Sequence, residues 1–339
     1  MQEMPFSVSS SPHIRHEDNT RSIMLDVIIA LLPALLFAVV YAWRFRALAL
    51  AAVCVASCVL FEWLYRKLLR KPGSIRDFSA VVTGLLLAYC LPAGVPYWLP
   101  VAGAFFAIVI VKQLYGGLGK NFMNPALAAR AFLAISWPVL MSVWPITEYS
   151  VPLWGNLPDG VTAATPLAFL RLDPAVLPTQ EFELSQLLLG QHGGSMGEVS
   201  ALLLLAGGAY LLIRKVITLR IPLAFLGTVA ALTFAFPQHG IEDRVGFMLS
   251  HLLTGGLVLG AVFMATDYAT SPVTRCGQWI FGIGCGLLTV LFRYFGSSAE
   301  GVCFAILIMN VCVWMIDKSS APRRFGTGLF GKKKKGAGL

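Results

Sequence analysis

The feature of this sequence that most restricts its fold is a series of ten predominantly apolar runs. They cover about residues 23–41, 47–64, 78–91, 97–112, 126–144, 199–213, 221–237, 246–266, 276–294 and 301–317. A helix of roughly 20 apolar residues crosses the ~30 Å hydrocarbon core of a bilayer. The chain is 57% hydrophobic and 13% charged, against roughly 25% charged residues in soluble domains. The sequence therefore predicts an all-α polytopic membrane protein with about ten transmembrane helices.

The third and fourth runs are short, and only the segment from Leu91 to Pro96 separates them. Because this segment contains Pro, Gly and Pro, it is typical of a turn or a chain break. The two runs are therefore either two short spans or broken, re-entrant helices.

Basic residues fall mostly on one side of the predicted membrane. With ten spans, both termini and 20 of the 26 Lys and Arg residues share a side, which the positive-inside rule identifies as the cytoplasm. The sequence thus predicts a multi-pass inner-membrane protein with both termini cytoplasmic. The net charge of +9 then reflects topology and does not indicate nucleic-acid binding. The tail from Lys332 to Lys335 is expected to face anionic lipid headgroups.

This topology divides the chain into five parts. They are a cytoplasmic N-terminal segment (1–22), a first membrane half of five helices (23–144), a periplasmic loop (145–198), a second half of five helices (199–317) and a basic cytoplasmic tail (318–339). Residues 1–22 lack the features of a cleavable signal, so the first span is predicted to be a retained anchor. The loop 145–198 is acidic, and no other loop is long enough to fold.

The two halves share a weak internal repeat. Val82-Thr83-Gly84 lies in the third run and Leu253-Thr254-Gly255 lies in the eighth. In each half a Pro-containing break follows (Leu91 to Pro96, and Asp267 to Pro272), and then a cation, Lys112 or Arg293. A repeat of five spans must be inverted, and inverted repeats with broken helices at matching positions are typical of transporters. We therefore predict two inverted five-helix repeats, with generic Thr-Gly helix packing as the alternative.

Charged residues indicate no proton relay through the centre of the membrane, because no carboxylate falls at a predicted midplane. If ions cross the chain, hydroxyl and carbonyl oxygens at the helix breaks are the expected ligands. The candidates are Thr83, Thr254, Thr266 and Asp267. The alternative is that the threonines only bond to helix backbone or cap helices. The seven cysteines are expected to pack in helices and to hold no metal, since the sequence has no C-x-x-C motif.

Three Asn-Pro, Ser-Pro or Thr-Pro pairs beyond the N-terminal segment predict helix starts, in which the first residue is the N-cap. They are Asn124-Pro125, Ser271-Pro272 and Thr165-Pro166. The alternative for the first two is that their exposed N–H groups, beside Lys120 or Arg275, face an anionic group. A phosphate esterified to Thr165 would likewise lie at a helix N-terminus, which favours negative charge.

The segment from Asp159 to Thr165 resembles a flavin-attachment motif. Its pattern is Asp, two variable residues, Ser or Thr, Gly or Ala, Ala and Thr. The pattern is met here by Asp159, Thr162, Ala163, Ala164 and Thr165, with Gly160 at the first variable position. The motif belongs to the family of Rnf D subunits and B subunits of the Na⁺-translocating NADH:quinone reductase. Other similar segments are Ser11-Pro-His13, Lys120 to Ala126 and Phe263 to Asp267. The resemblance covers nearly the whole chain.

The resemblance implies that Thr165 carries covalent FMN through a phosphoester bond, made by a flavin transferase. It implies a membrane subunit of an ion-translocating oxidoreductase that is not catalytic alone. Electrons would pass between ferredoxin and NAD, coupled to Na⁺ or H⁺ transport. The implied partners are the other Rnf subunits, including a second periplasmic flavoprotein subunit and iron–sulfur subunits. Two alternatives are a stand-alone transporter or channel without a redox role, and a scaffold subunit whose threonine is unmodified.

Overall fold

The computed structural model describes residues 19–42, 44–71, 75–145, 165–171, 184–190, 192–238, 243–296 and 301–322. Within these ranges the regular structure is helical, apart from one isolated β-bridge between Pro92 and Ser195. The predicted all-α class is therefore confirmed for the described part of the chain.

The α-helices of these ranges are numbered in chain order. They are α1 (Thr20–Phe37), α2 (Arg44–Leu68), α3 (Ser79–Tyr89), α4 (Trp98–Phe105), α5 (Pro125–Ser136), α6 (Pro138–Met141), α7 (Pro166–Arg171), α8 (Leu184–Leu189), α9 (Ala201–Ile213), α10 (Arg220–Ala235), α11 (Arg244–Leu253), α12 (Leu257–Leu259), α13 (Arg275–Phe295) and α14 (Val302–Ser320). Three of them, α1, α4 and α12, continue as π-helix over Ala38–Ala42, Phe106–Gln113 and Gly260–Met264.

Four helical segments of the described part of the chain are apolar and long enough to cross a membrane: Thr20–Ala42, Phe45–Leu68, Arg275–Phe295 and Val302–Ser320. The pair Arg244–Leu253 and Leu257–Met264 would make a fifth span with a bend of 61°. Shorter apolar helices are Ser79–Tyr89, Trp98–Gln113, Pro125–Ser136, Ala201–Ile213 and Arg220–Ala235. These segments follow the order of the predicted runs and agree with a polytopic membrane protein. That all of them cross the membrane stays a prediction.

The fifth predicted run, 126–144, is not one continuous helix. α5 ends at Ser136, and α6 begins at Pro138 after Trp137, whose φ of −134° and ψ of 63° are not helical. Proline has no N–H to continue the helix, and its ring disfavours helical backbone at the residue before it. For this reason α5 has only 12 residues.

The two halves pack through equivalent helices. α1 contacts α9 and α5 contacts α14, which joins the halves. In the first half α2 contacts α3 and α4, and in the second half α10 contacts α11 and α13. Glycines allow close approach in both: a Cβ on Gly84 would lie 2.7 Å from the Val55 Cα, and a Cβ on Gly282 would lie 2.6 Å from the Ala224 Cβ. Small residues at such contacts let helix backbones approach closely in a membrane.

Each half contains a break in its helices. In the first half, residues 90–97 separate α3 from α4, and the buried Arg46 donates to the carbonyl oxygens of Ala93 (3.3 Å) and Val95 (2.9 Å). In the second half, Thr254 to Gly256 separate α11 from α12. The break at Thr254 to Gly256 lies inside the eighth run, ahead of the segment Asp267 to Pro272, to which the sequence assigns the second-half break and which lies between the helical segments that end at Met264 and begin at Arg275. Backbone groups freed in the first break are bonded by a side chain, as a low-dielectric environment requires.

Two predicted helix starts have different outcomes. Asn124 caps α5 as predicted, because its side chain accepts two first-turn N–H groups at 3.0 and 3.4 Å. The predicted start at Ser271-Pro272 is wrong: α13 begins at Arg275, and Thr274 is its N-cap. The reason is that Asp317 of α14 accepts the Val273 N–H (3.1 Å), which holds residues 271–273 ahead of the helix.

Candidate functional site

Thr165 directly precedes the short helix α7 (Pro166–Arg171). Its carbonyl and hydroxyl oxygens both accept the Ala168 N–H, at 2.8 and 3.4 Å, and Pro166 is the first helical residue. Proline suits that position because its missing N–H would have had no helical partner. The predicted cap is therefore confirmed. The Thr165 side chain is buried, with 5% of the residue exposed.

The other residues of the predicted attachment motif are Asp159, Gly160, Thr162 and Ala164, and they lie outside the described residues. Their role stays a prediction from the sequence. The structure does describe what α7 contacts. Leu167, two positions after Thr165, lies against Gly255 in the broken eighth span.

Gly255 makes that contact possible. It lies in the break between α11 and α12 with a φ of +69°, a backbone conformation that glycine adopts without the cost other residues bear. A Cβ here would overlap the side chain of Leu167 on α7 and would lie 2.8 Å from a guanidinium nitrogen of Arg293. The flavin-attachment residue implied by the resemblance is therefore close in sequence to a tight junction of α7, the helix break and α13.

The peptide unit between Thr254 and Gly255 lies between two buried charged side chains. The guanidinium of Arg293 donates to the Thr254 carbonyl oxygen at 3.0 Å, and also to the His251 carbonyl oxygen. The Gly255 N–H donates to a carboxylate oxygen of Glu198 at 3.0 Å. Both side chains are nearly fully buried. Glu198 and Arg293 are called the break clamp below, because they bond the carbonyl and the N–H of the same peptide.

Glu198 is held in place by its own segment. Its other carboxylate oxygen accepts the Ser195 hydroxyl at 2.7 Å and the Ser195 N–H at 3.3 Å. Residues 192–200 are all buried, and the Met196 N–H donates to the Leu91 carbonyl oxygen (3.2 Å) in the first break. A Cβ on Gly197 would lie 3.0 Å from the carbonyl oxygen of Tyr89. The end of the long predicted loop thus contacts both helix breaks.

Two polar atoms, one in the break clamp and one in a neighbouring residue, have no hydrogen-bond partner among the described residues. They are Nε of Arg293 and Nε2 of His251. The His251 ring also packs edge-on against Phe247, with ring centroids 4.5 Å apart, and lies 6.0 Å from Tyr294. Buried polar atoms normally have partners, so these two nitrogens can bond to a water molecule or to a bound group.

A second feature is a cavity between the halves. It brings together three of the four predicted ion-path residues, Thr83, Thr266 and Asp267. The polar residues that line it are Ser79, Thr83, Lys112, Asn121, Asn124, Thr266 and Asp267. The fourth candidate, Thr254, does not line this cavity and lies in the break between α11 and α12.

The predicted ion-path threonines all bond to helix backbone. Thr83 donates to the Ser79 carbonyl oxygen (2.9 Å), Thr266 to that of Val262 (2.6 Å), and Thr254 to that of Ser250. This is the alternative that the sequence leaves open, although each hydroxyl oxygen keeps lone pairs that can accept. Asp267 accepts the Thr270 hydroxyl at 3.2 Å.

Sequence reasoning missed one buried ion pair at the cavity. Nζ of Lys112 lies 2.8 Å from a carboxylate oxygen of Glu62 and 2.6 Å from the Ser79 hydroxyl. Both charges are buried. The signal available in the sequence is a Glu and a Lys inside apolar runs, since such charges are usually paired.

Sequence reasoning also missed the break clamp. In the sequence, Glu198 is one of several acidic residues in the long loop, and Arg293 is one of a few cations on the outer side. Glu198 lies 57 residues from Gly255, and Arg293 lies 39 residues from Thr254. Contacts at such separations leave no pattern in a single sequence.

Three known proteins similar to this chain are D subunits of ion-translocating oxidoreductase complexes. The chain is 48% identical over 335 residues to the D subunit of the Na⁺-translocating ferredoxin:NAD⁺ oxidoreductase complex of Acetobacterium woodii, covering 99% of this chain and 100% of the relative. It is 43% identical to the proton-translocating counterpart of Clostridium ljungdahlii, covering 95% and 96%. The D subunit of the ion-translocating oxidoreductase complex of Stutzerimonas stutzeri is 41% identical, covering 91% and 93%.

The match to a family is equally extensive. Residues 7–326 match the NQR2, RnfD, RnfE family, which is most of the 339 residues. The resemblance drawn from the attachment motif and its companion segments is therefore confirmed. This chain belongs to the NQR2, RnfD, RnfE family.

Proposed function

We propose that this chain is the D subunit of an ion-translocating ferredoxin:NAD⁺ oxidoreductase, an Rnf complex. The observation that carries the proposal is the 48% identity to a D subunit that aligns over 99% of this chain and 100% of its own length. The chain would act as one electron-transfer station within the complex and would not be catalytic alone. Its partners would be the other Rnf subunits, including a second periplasmic flavoprotein subunit and iron–sulfur subunits, together with membrane lipid.

The cofactor proposed for this station is FMN, joined to Thr165 through a phosphoester bond by a flavin transferase. The attachment motif from Asp159 to Thr165 supports this proposal. So do two buried nitrogens, Nε of Arg293 and Nε2 of His251, which have no hydrogen-bond partner among the described residues. A guanidinium beside the helix that Thr165 caps suits an anionic group. A flavin bound there would accept and donate electrons one or two at a time, while the protein supplies position and electrostatics.

The proposed topology has cytoplasmic termini and a periplasmic loop at 145–198 in the inner membrane. The Lys and Arg distribution supports it, because 20 of the 26 basic residues share the side of the termini. Lys67 with Trp63 (4.6 Å) and Lys318 with Trp314 (5.0 Å) form cation–π pairs at helix ends. Basic and aromatic residues are typical of the membrane interface.

The proposed inverted repeat is supported by the pairing of helices at matching positions in the two halves. α1 contacts α9, the first helix of the second half, and α5 contacts α14, the last long helix of the second half. Inverted repeats with broken helices build ion sites near the middle of the membrane.

The proposed ion path uses Thr83, Thr266 and Asp267 at the cavity and Thr254 at the eighth-span break. The relatives do not identify the ion, because one is named Na⁺-translocating and another proton-translocating.

Covalent flavin attachment can be tested by in-gel fluorescence of the denatured chain, produced with a flavin transferase. The fluorescence is expected in the natural chain and in the matched control Thr162→Ser, which keeps the motif, and it is expected to be lost in Thr165→Ala. An intact-mass increase of one FMN residue, mapped to 145–198, would accompany it. Fluorescence that survives Thr165→Ala would overturn the site, and a stand-alone transporter would show none in any variant.

A further inference from the structure

We propose that Glu198 and Arg293, the break clamp, are positioning residues that link the flavin environment electrostatically to the bent eighth span. This inference rests on the proposed flavin at Thr165. It assigns a role to two residues that lie outside the attachment motif and outside the predicted ion path.

The geometry of one peptide unit carries the inference. The carbonyl oxygen of Thr254 accepts from Arg293, and the N–H of Gly255 donates to Glu198, each at 3.0 Å. A positive and a negative side chain therefore lie at the two ends of one peptide dipole. This dipole belongs to the break where the span bends by 61°, so the two charges fix how α11 joins α12.

The charges act in a place where water screens them little. Arg293 is 1% exposed and Glu198 is 3% exposed. Buried charges interact more strongly than exposed ones because the effective dielectric constant around them is lower, and dissolved salt screens them less. A change of charge nearby is therefore felt by both residues.

The helix that Thr165 caps packs against the break clamp, so a flavin on Thr165 would supply such a change. Leu167 fills the space in front of Gly255, on the same side as the guanidinium of Arg293, and Thr165 precedes Leu167 by two residues. An electron that reaches a flavin here adds one negative charge unless a proton accompanies it. Arg293 would stabilise that charge and Glu198 would oppose it. The same two residues hold the helix break, so the break would respond to the redox state.

The experiment measures the reduction potential of the flavin on Thr165 in the complex purified with the full-length chain. Glu198→Gln removes the negative charge and keeps the shape, so the potential should rise. Arg293→Gln removes the positive charge, so the potential should fall. Each shift should reach about tenfold in the one-electron equilibrium, about 59 mV. The double variant should return close to the natural value.

Two further variants separate charge from packing. Arg293→Lys keeps the charge and should leave the potential near the natural value. Asp26→Asn makes the same carboxyl-to-amide change at the other end of α9, where Asp26 pairs with Arg214 at 3.2 Å. α9 has 13 residues and is about 20 Å long, so this control should not shift the potential.

Flavin present with both single-variant potentials unchanged, or shifted in the same direction, would overturn this inference and leave the attachment proposal standing. Absence of flavin from the natural chain would overturn both. Opposite shifts that cancel in the double variant would support the break clamp, because loosened packing has no reason to change sign with the charge removed. If one single variant does not fold, the sign of the other still decides.

Discussion

At the scale of single residues, the site depends on chemistry that only particular side chains provide. Thr165 caps α7 through its hydroxyl, as the Thr-Pro pair predicts. Gly255 is required for two reasons, a left-handed backbone and the contact with Leu167. The first of these can be suspected from a Thr-Gly-Gly sequence. The second cannot, because Leu167 is 88 positions away in the chain.

Replacing Gly255 by Ala should destabilise the chain. A left-handed backbone costs about 1–2 kcal/mol for a residue with a Cβ, and overlap with Leu167 adds to this. We expect a lower thermal unfolding midpoint in detergent. The matched control is Gly227→Ala in α10, where a Cβ meets nothing within 4 Å and helix propensity favours Ala by about 0.5–1 kcal/mol. Equal midpoints for Gly255→Ala and the natural chain would contradict the prediction.

At the scale of elements, the order of the helices follows the apolar runs, because a helix in a membrane needs apolar side chains along the whole length that lies in the hydrocarbon core. The ends were less predictable. The fifth run stops early at Trp137, before a proline that the sequence displays. α13 starts at Arg275, later than Ser271-Pro272 predicted, since Asp317 of a different helix holds the preceding residues. Local signals compete with such distant bonds, and the structure decides between them.

Asp267, in the turn that follows the bent eighth span, offers a test of the ion-path proposal. Replacing Asp267 by Asn removes the carboxylate that lines the cavity, so the apparent affinity for the transported ion should fall about tenfold, which corresponds to ~1.4 kcal/mol. Ion-dependent transport in vesicles measures it, and the flavin fluorescence should be retained. The control Asp317→Asn changes a carboxyl that bonds the Val273 N–H and does not line the cavity. Equal effects of the two substitutions would argue against a specific role for Asp267.

At the scale of the whole molecule, charge distribution predicts the orientation and the structure adds how the halves meet. Contacts of α1 with α9 and of α5 with α14 join the halves, and the cavity and the two helix breaks lie among these helices. The orientation can be predicted from the sequence because Lys and Arg favour cytoplasmic loops, and each loop can be assessed from its own residues.

A natural cysteine offers a test of the topology. Cys276 is exposed, and it lies at the start of α13 on the predicted cytoplasmic side, while Cys54, Cys58, Cys90, Cys285 and Cys303 are buried. A membrane-impermeant maleimide should therefore label the chain in inside-out vesicles and not from the periplasmic side. Cys276→Ser should remove most of the label. Labelling of Cys276 from the periplasmic side would contradict the proposed orientation.

The sequence by itself determined the membrane class, the order of the apolar helices, the Thr165 cap and the family, because each follows from composition or from residues close together in the chain. Tertiary structure alone decided which charges meet. In the sequence, Glu198 and Arg293 look like ordinary polar residues near the membrane surface, and Glu62 and Lys112 look like isolated charges in apolar runs. Burial makes an unpaired charge costly, so folding brings such residues to partners far away in sequence, and a single sequence does not record those partners.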